Sequence, residues 1–286
     1  MKILVTGASG QLGYDVCREL EMRGADYRGV CSKDFRLDAP DNIRAFLMQY
    51  MPDAVIHCAA YTAVDRAEDE PEICAAVNGM GTRVLAECCR ELGAKLLYIS
   101  TDYVFPGSGC EPYEVQDQTG PLNVYGRTKL EGEQAVRECL ETYFIVRISW
   151  VFGLHGRNFV RTMLDLGAKD PAPRITGDQF GSPTYTRDLA PLLCDMVLTE
   201  RYGVYHATNE GVCTWAEFAQ EIFRQAGMAV SVTPRKAAER PSRAVRPGNS
   251  RMSKRSLTDA GFPLLPRWED ALSRYLEELR QSGEYA

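Results

Sequence analysis

Short β-rich runs alternate with longer helical stretches through the first half of the chain. Lys2–Thr6, Tyr27–Cys31, Ala54–Cys58, Lys95–Ser100 and Tyr143–Ile148 read as strands. Leu12–Arg23, Asn42–Tyr50, Glu72–Leu92 and Asn123–Leu140 read as helices between them. Strands such as Ile3-Leu4-Val5 are apolar on successive residues rather than on alternate ones. That pattern implies burial on both faces, in a parallel sheet covered by helices. Strand–helix repetition at this spacing predicts an α/β fold with a doubly wound parallel sheet of the Rossmann type.

The pattern loosens after Trp150. Prolines and glycines cluster at Gly167–Thr184 and Arg240–Gly248, with helical stretches at Arg187–Leu198 and Thr214–Gln225. A final amphipathic helix runs from Trp268 to about Arg280, with Ala271, Leu272, Tyr275, Leu276 and Leu279 on its apolar stripe. We expect a dinucleotide-binding domain over residues 1–150 and a smaller, irregular α/β substrate lobe over 151–286. Part of the chain, about 185–210, is expected to return to the first domain. Ligands of open α/β sheets bind at the carboxyl edge of the strands, where such a lobe would close.

Composition narrows the partners. The 286 residues carry 33 basic and 39 acidic side chains, a net charge of −6, which is unfavourable for binding nucleic acid or an anionic membrane. No apolar run is long enough to span a bilayer and no export signal is evident, so a cytoplasmic location is expected. None of the ten cysteines forms a C-x-x-C pair, and Cys17, Cys58, Cys74, Cys88 and Cys89 fall among apolar neighbours, as reduced cysteines used as small hydrophobes do. His57, His155 and His206 are far apart in sequence, so no zinc site is expected.

Three elements carry candidate chemistry. Gly7-Ala8-Ser9-Gly10-Gln11-Leu12-Gly13 follows the first strand and opens the first helix, where glycines allow backbone N–H groups to approach a pyrophosphate. Val30-Cys31-Ser32-Lys33-Asp34 then ends the second strand without an acid on the strand itself. Ser32 and Lys33 offer a phosphate site, which favours NADPH, while Asp34 leaves NADH use possible. Tyr125 and Lys129 stand four apart on one helix face, so the ammonium favours the phenolate. Ser100-Thr101-Asp102 ends a strand at the sheet edge, where a hydroxyl can polarise a substrate carbonyl.

Together these blocks resemble the extended, sugar-nucleotide branch of the short-chain dehydrogenase/reductase superfamily, and within it the dTDP-4-dehydrorhamnose reductase family. The resemblance also rests on Ala59-Ala60-Tyr61-Thr62-Ala63-Val64-Asp65, Tyr103-Val104-Phe105, Ser149-Trp150-Val151-Phe152-Gly153, Asp178–Thr184 and Arg246-Pro247-Gly248-Asn249-Ser250. It implies Tyr125 as proton donor, Lys129 as its partner and ribose ligand, and Thr101 as the carbonyl-polarising hydroxyl. It implies that Gly7, Gly10, Gln11, Leu12 and Gly13 cradle the pyrophosphate, that Asp38 contacts the adenine, and that Ala59, Ala60 and Tyr61 line the cofactor strand. Thr101, Asp102 and Trp150 would touch the sugar nucleotide.

The implied reaction is NADPH-dependent reduction of the C4 ketone of dTDP-4-dehydro-β-L-rhamnose to dTDP-β-L-rhamnose, for cell-surface polysaccharide biosynthesis. Alternatives are reduction or epimerisation of another nucleotide sugar, or a non-catalytic NADP-binding regulatory subunit. Tyr103 stands where sugar-nucleotide dehydratases carry a glutamate, so elimination lacks its second acid. Pro106 replaces a frequent aspartate, and position 61 is tyrosine where some members have histidine. Some members dimerise through Mg2+ held by glutamates; Asp15 stands at one such place, and the remainder of that set is not identified. A monomer or homodimer is expected. Finally, eight basic residues lie between Arg235 and Arg255 against the single acid Glu239, either as a clamp for a substrate diphosphate or as a solvated loop.

Overall fold

The computed structural model describes residues 1–283. Strands β1 (Lys2–Thr6), β2 (Asp26–Val30), β3 (Ala54–His57), β4 (Lys95–Thr101) and β5 (Tyr143–Ile148) form a parallel sheet with an edge strand, Gly203–His206. The order across the sheet is β2, β1, β3, β4, β5 and the edge strand. The chain leaves β1 towards one edge through β2 and returns to build the other side from β3. The topological switch point therefore lies between β1 and β3, where open α/β sheets take their ligands.

Each sheet face has its own apolar core. On one, Ile3, Val5, Ile56, Leu97 and Val146 pack against helix α1 (Gln11–Met22) and the helix Thr186–Val197. On the other, Leu4, Val55, Leu96 and Ile145 pack against the helices Pro40–Tyr50, Gly81–Leu92 and Val124–Cys139. Continuous apolar strands require this two-sided cover. A third core joins Phe152, Tyr185, Phe218, Phe223 and Leu272 among the helices Phe159–Gly167, Trp215–Gln225 and Trp268–Gln281. The last helix buries Trp268, Ala271, Leu272, Tyr275, Leu276 and Leu279, its whole expected stripe.

Two features differ from the expectation. The stretch expected as one helix over Glu72–Leu92 is broken by a π-helical turn at Ala76–Met80. It presents Asn78, whose amide bonds the backbone of Tyr61 from both sides, at 2.8 and 3.1 Å. Single π turns inside helices recur at functional sites, and this one steadies the loop after β3. The edge strand Gly203–His206 is not legible as a strand in the sequence; its pairing with β5 supplies the order that local composition does not.

Among the described residues no helix is long and apolar enough to cross a membrane. All ten cysteines are free, and Cys110 alone among them is exposed.

Candidate active site

A cleft of about 1060 Å³ opens along the carboxyl edge of the sheet, from the glycine loop to Trp150 and Trp215. Gly7 takes a left-handed φ of 72°, and a Cβ there would lie 2.8 Å from the Ala59 backbone nitrogen. A Cβ on Gly13 would lie 2.2 Å from the Gly7 carbonyl oxygen. The glycines thus let β1, α1 and the end of β3 meet at backbone contact. With the N-terminus of α1 facing the cleft, this is a cradle for a pyrophosphate.

The structure brings Gly7, Gly10, Gln11, Leu12, Gly13, Ser32, Asp38, Ala59, Ala60, Thr101, Asp102, Tyr125, Lys129 and Trp150 to this one cleft. Two expected residues lie elsewhere. The chain turns after β2, with the Cys31 amide bonding the Asp34 carboxylate at 2.9 Å, and leaves Lys33 exposed and off the cleft wall. The turn delivers Arg36 to the wall instead, paired with Asp38 at 2.9 and 2.5 Å. Tyr61 is also off the wall, because its hydroxyl donates to Glu70 at 2.7 Å. Arg36 was missed because nothing local to it signals that the turn brings it back.

Asn123 caps the helix Val124–Cys139 by accepting the Gly126 amide at 2.8 Å. A Cβ on Gly126 would stand 2.2 Å from the Tyr103 carbonyl oxygen, and one on Gly132 would stand 2.3 Å from the Tyr98 hydroxyl. The two small residues seat the helix against β4, so Tyr125 reaches Thr101. Burial holds the Tyr125 phenol well above its ordinary value, with the nearby Thr101 hydroxyl acting the other way. Lys129 lies one turn on, its ammonium 4.1 Å from the centre of the Tyr98 ring. Burial pulls it down to about 7, against the opposing field of Glu133.

Asp102 is buried, which pushes it up to about 6 although Ser250 and Thr101 both donate to it. The Ser250 bond is 2.5 Å and the Thr101 bond 3.0 Å. The Arg246–Ser250 block is thereby tied to the site at both ends, because Arg246 also grips Asp65 at 2.7 and 3.0 Å. Trp150, at a left-handed φ of 49°, stacks on Trp215 with ring centres 3.5 Å apart, and Gly181 packs so close to its ring that a Cβ there would stand 2.6 Å away.

A second cleft of about 620 Å³ adjoins the first at Arg157, Phe159 and Trp215. Its wall carries Arg157, Lys169, Arg174, Arg235, Arg240 and Arg246. The basic tract therefore divides. Arg235, Arg240 and Arg246 face this cleft. Arg243 pairs with Asp69, Lys254 with Glu210 at 3.4 Å, and Arg255 with Asp259 at 3.5 Å.

The carboxylates near Asp15 do not suit a divalent metal. Asp15 accepts the Thr186 hydroxyl at 2.5 Å. Glu278 is held by Arg18 at 2.8 Å, Arg187 at 2.9 Å and the Tyr185 hydroxyl at 2.5 Å. Arg18 and Arg187 already neutralise Glu278, which leaves it a poor ligand for a further cation, and no group of three metal-ligating side chains occurs among the described residues.

Several known proteins are similar to this chain over nearly its whole length. A dTDP-4-dehydrorhamnose reductase of Streptomyces griseus is 43% identical over 279 residues, covering 94% of this chain and 91% of the relative. The spore coat polysaccharide biosynthesis protein SpsK of Bacillus subtilis (strain 168) is 38% identical, over 97% of each chain. A solved dTDP-4-dehydrorhamnose reductase of Bacillus anthracis, in complex with NADP, is 40% identical, with a TM-score of 0.94 over 97% of this chain and all of that one. The match to the RmlD substrate binding domain runs over residues 1–281, and the chain belongs to that family.

Proposed function

We propose that this protein is an NADPH-dependent reductase that converts the C4 ketone of dTDP-4-dehydro-β-L-rhamnose to the alcohol, in dTDP-rhamnose biosynthesis. The observation that carries the reading is the meeting of Thr101, Tyr125 and Lys129 beside a glycine cradle in one cleft. The relatives' reductase activity and the NADP complex of the Bacillus anthracis protein support it.

A bound nicotinamide supplies the hydride. The protein's own groups hold the ketone and manage the proton. The Thr101 hydroxyl and the Tyr125 phenol donate to the carbonyl oxygen of the bound ketone, and Tyr125 gives its proton to the alkoxide. A phenol raised by burial stays protonated at neutral pH, as a proton donor must. The Lys129 ammonium stabilises the phenolate left behind and holds a ribose hydroxyl. The Thr101 proton, which goes to Asp102 at 3.0 Å in this structure, turns to the carbonyl oxygen when the ketone binds.

Gly7, Gly10, Gln11, Leu12 and Gly13 hold the pyrophosphate, Ala59 and Ala60 flank it, and Asp38 faces the adenine. Ser32 and Arg36 take the ribose 2′-phosphate, in place of Ser32 and Lys33. Residues 1–150, with the returning helix and edge strand, act as the dinucleotide domain. The remaining lobe holds the sugar nucleotide, with its diphosphate in the basic cleft and Trp150 against the sugar. No step is assigned to a metal.

Purified protein mixed with NADPH and dTDP-4-dehydro-L-rhamnose is expected to oxidise NADPH, followed by absorbance at the nicotinamide band. Tyr125→Phe should keep NADPH binding and lose about 10²- to 10⁴-fold in kcat. Near-normal turnover in that variant rejects the mechanism. A panel of other 4-keto nucleotide sugars tests the sugar assignment.

A further inference from the structure

Behind the cleft lies an ion pair that the reaction as described does not use. Glu133 stands one helical turn beyond Lys129, so Tyr125, Lys129 and Glu133 share one face of the helix Val124–Cys139. Its side chain is fully buried. Arg147, on β5 and 1% exposed, grips it through Nε at 2.8 Å and Nη2 at 2.7 Å. The Ser100 hydroxyl, on β4 and adjacent to Thr101, donates to it at 2.6 Å.

Arg147 is closed in on the far side. It lies over the Phe105 ring, donates to the Val115 carbonyl at 3.1 Å and stands 3.5 Å from His206 Nε2. One carboxylate therefore joins the strand that carries Thr101, the neighbouring strand, and the helix that carries Tyr125 and Lys129. A buried ion pair is poor value for stability alone, since an apolar core of equal volume serves as well or better.

We propose that Glu133, locked by Arg147 and Ser100, is a positioning residue that sets Lys129 and Thr101 in register across the cleft and holds a compensating negative charge beside the Lys129 ammonium. This rests on the reductase reading for its kinetic consequences, but not for the charge on Lys129. The other groups facing Lys129 are the Cys58 and Cys74 thiols, the His57 imidazole and the Tyr98 ring. Burial keeps Cys58 and Cys74 in their thiol form and His57 neutral, so Glu133 supplies the nearby anion.

The sign follows. A neutral residue at 133 makes the Lys129 ammonium easier to deprotonate, so the fall of kcat/KM with rising pH should begin lower. In Glu133→Gln the basic limb is expected to move down by about one pH unit, with kcat lowered about tenfold to hundredfold. Glu133→Asp keeps the charge and should keep the limb in place while losing part of kcat. Should Glu133→Gln leave Arg147 uncompensated and fail to fold, the double variant Glu133→Gln/Arg147→Met removes both charges and should show the same displaced limb. Ser100→Ala should lower kcat with little change in KM or in the limb.

Competitive labelling of Lys129 with acetic anhydride across the pH range reads the same titration without turnover. A midpoint shifted down in Glu133→Gln and in the double variant supports the proposal. Equal midpoints in folded wild type and variants overturn it, as does an unmoved basic limb. If the wild type does not oxidise NADPH with the keto sugar, the reductase reading fails and the labelling still decides the role of Glu133.

Discussion

Asp102 shows how burial sets the behaviour of one residue at this site. Its carboxyl titrates at about 6 rather than 3.8, because desolvation outweighs the hydroxyls of Ser250 and Thr101. The folded protein therefore binds a proton there more tightly than the unfolded chain. Stability from this group is present at low pH and is lost as pH rises from 3.8 to about 6. Asp102→Asn removes the titration. Its stability relative to wild type should climb across that window, by about 3 kcal/mol, and then stay level. Urea denaturation at several pH values measures this; a flat difference would mean that Asp102 is ionised normally. The residue types here, Thr101, Tyr125 and Lys129, were legible in sequence because their chemistry depends on spacing along one strand end and one helix face. Arg36 was not, because a turn at Cys31–Asp34 decides which cation reaches the cleft.

At the scale of elements, the glycine loop is a packing device before it is a ligand site. The Cβ of an alanine at 13 would meet the Gly7 carbonyl oxygen at 2.2 Å, whereas at 10 it would stand 3.3 Å from the same atom. Gly13→Ala should therefore destabilise the ligand-free protein by about 1–3 kcal/mol, and Gly10→Ala by distinctly less. Thermal unfolding of the two variants without cofactor checks the order; equal losses would show that α1 moves away freely from the loop. The boundaries of β1 and β5 match the sequence expectation residue for residue, since apolar runs buried on both faces are unambiguous. The π turn at Ala76–Met80 had no such signal. It arises where the helix must place Asn78 against the Tyr61 backbone, a contact between segments 17 residues apart.

The whole molecule encloses two neutral histidines. His57 is held down to about 3 by burial and then by Lys129, and His206 to about 3 by burial and then by Arg147. Both bind protons more weakly folded than unfolded, so the stability they contribute is present above 6.5 and is lost as pH falls through the window towards 3. His206→Asn, whatever its absolute stability, should lose less than wild type between pH 6.5 and roughly pH 5, by about 1.4 kcal/mol per pH unit. Denaturant midpoints at the two pH values decide it; identical losses would mean that His206 titrates alike in the folded and unfolded chain. The position of His206 at the sheet edge, against Arg147 and the Ser253 carbonyl, joins the core of the sheet to the loop that follows Arg246–Ser250.

The sequence by itself determined the class of fold, the glycine loop and the proposed trio Thr101, Tyr125 and Lys129, because each rests on local periodicity or on spacing within one element. Hydrophobic runs with period one specify strands covered on both faces, and a four-residue interval puts two side chains on one helix face whatever surrounds them. Only the tertiary structure decided which members of the basic tract face the second cleft and which bind Asp69, Glu210 or Asp259. It alone exchanged Lys33 for Arg36, turned Tyr61 towards Glu70, and set Glu133 between Arg147 and Ser100. These outcomes depend on charges and hydroxyls from segments far apart in the chain, whose meeting is fixed by how the sheet order and the three cores close, and no local pattern encodes it.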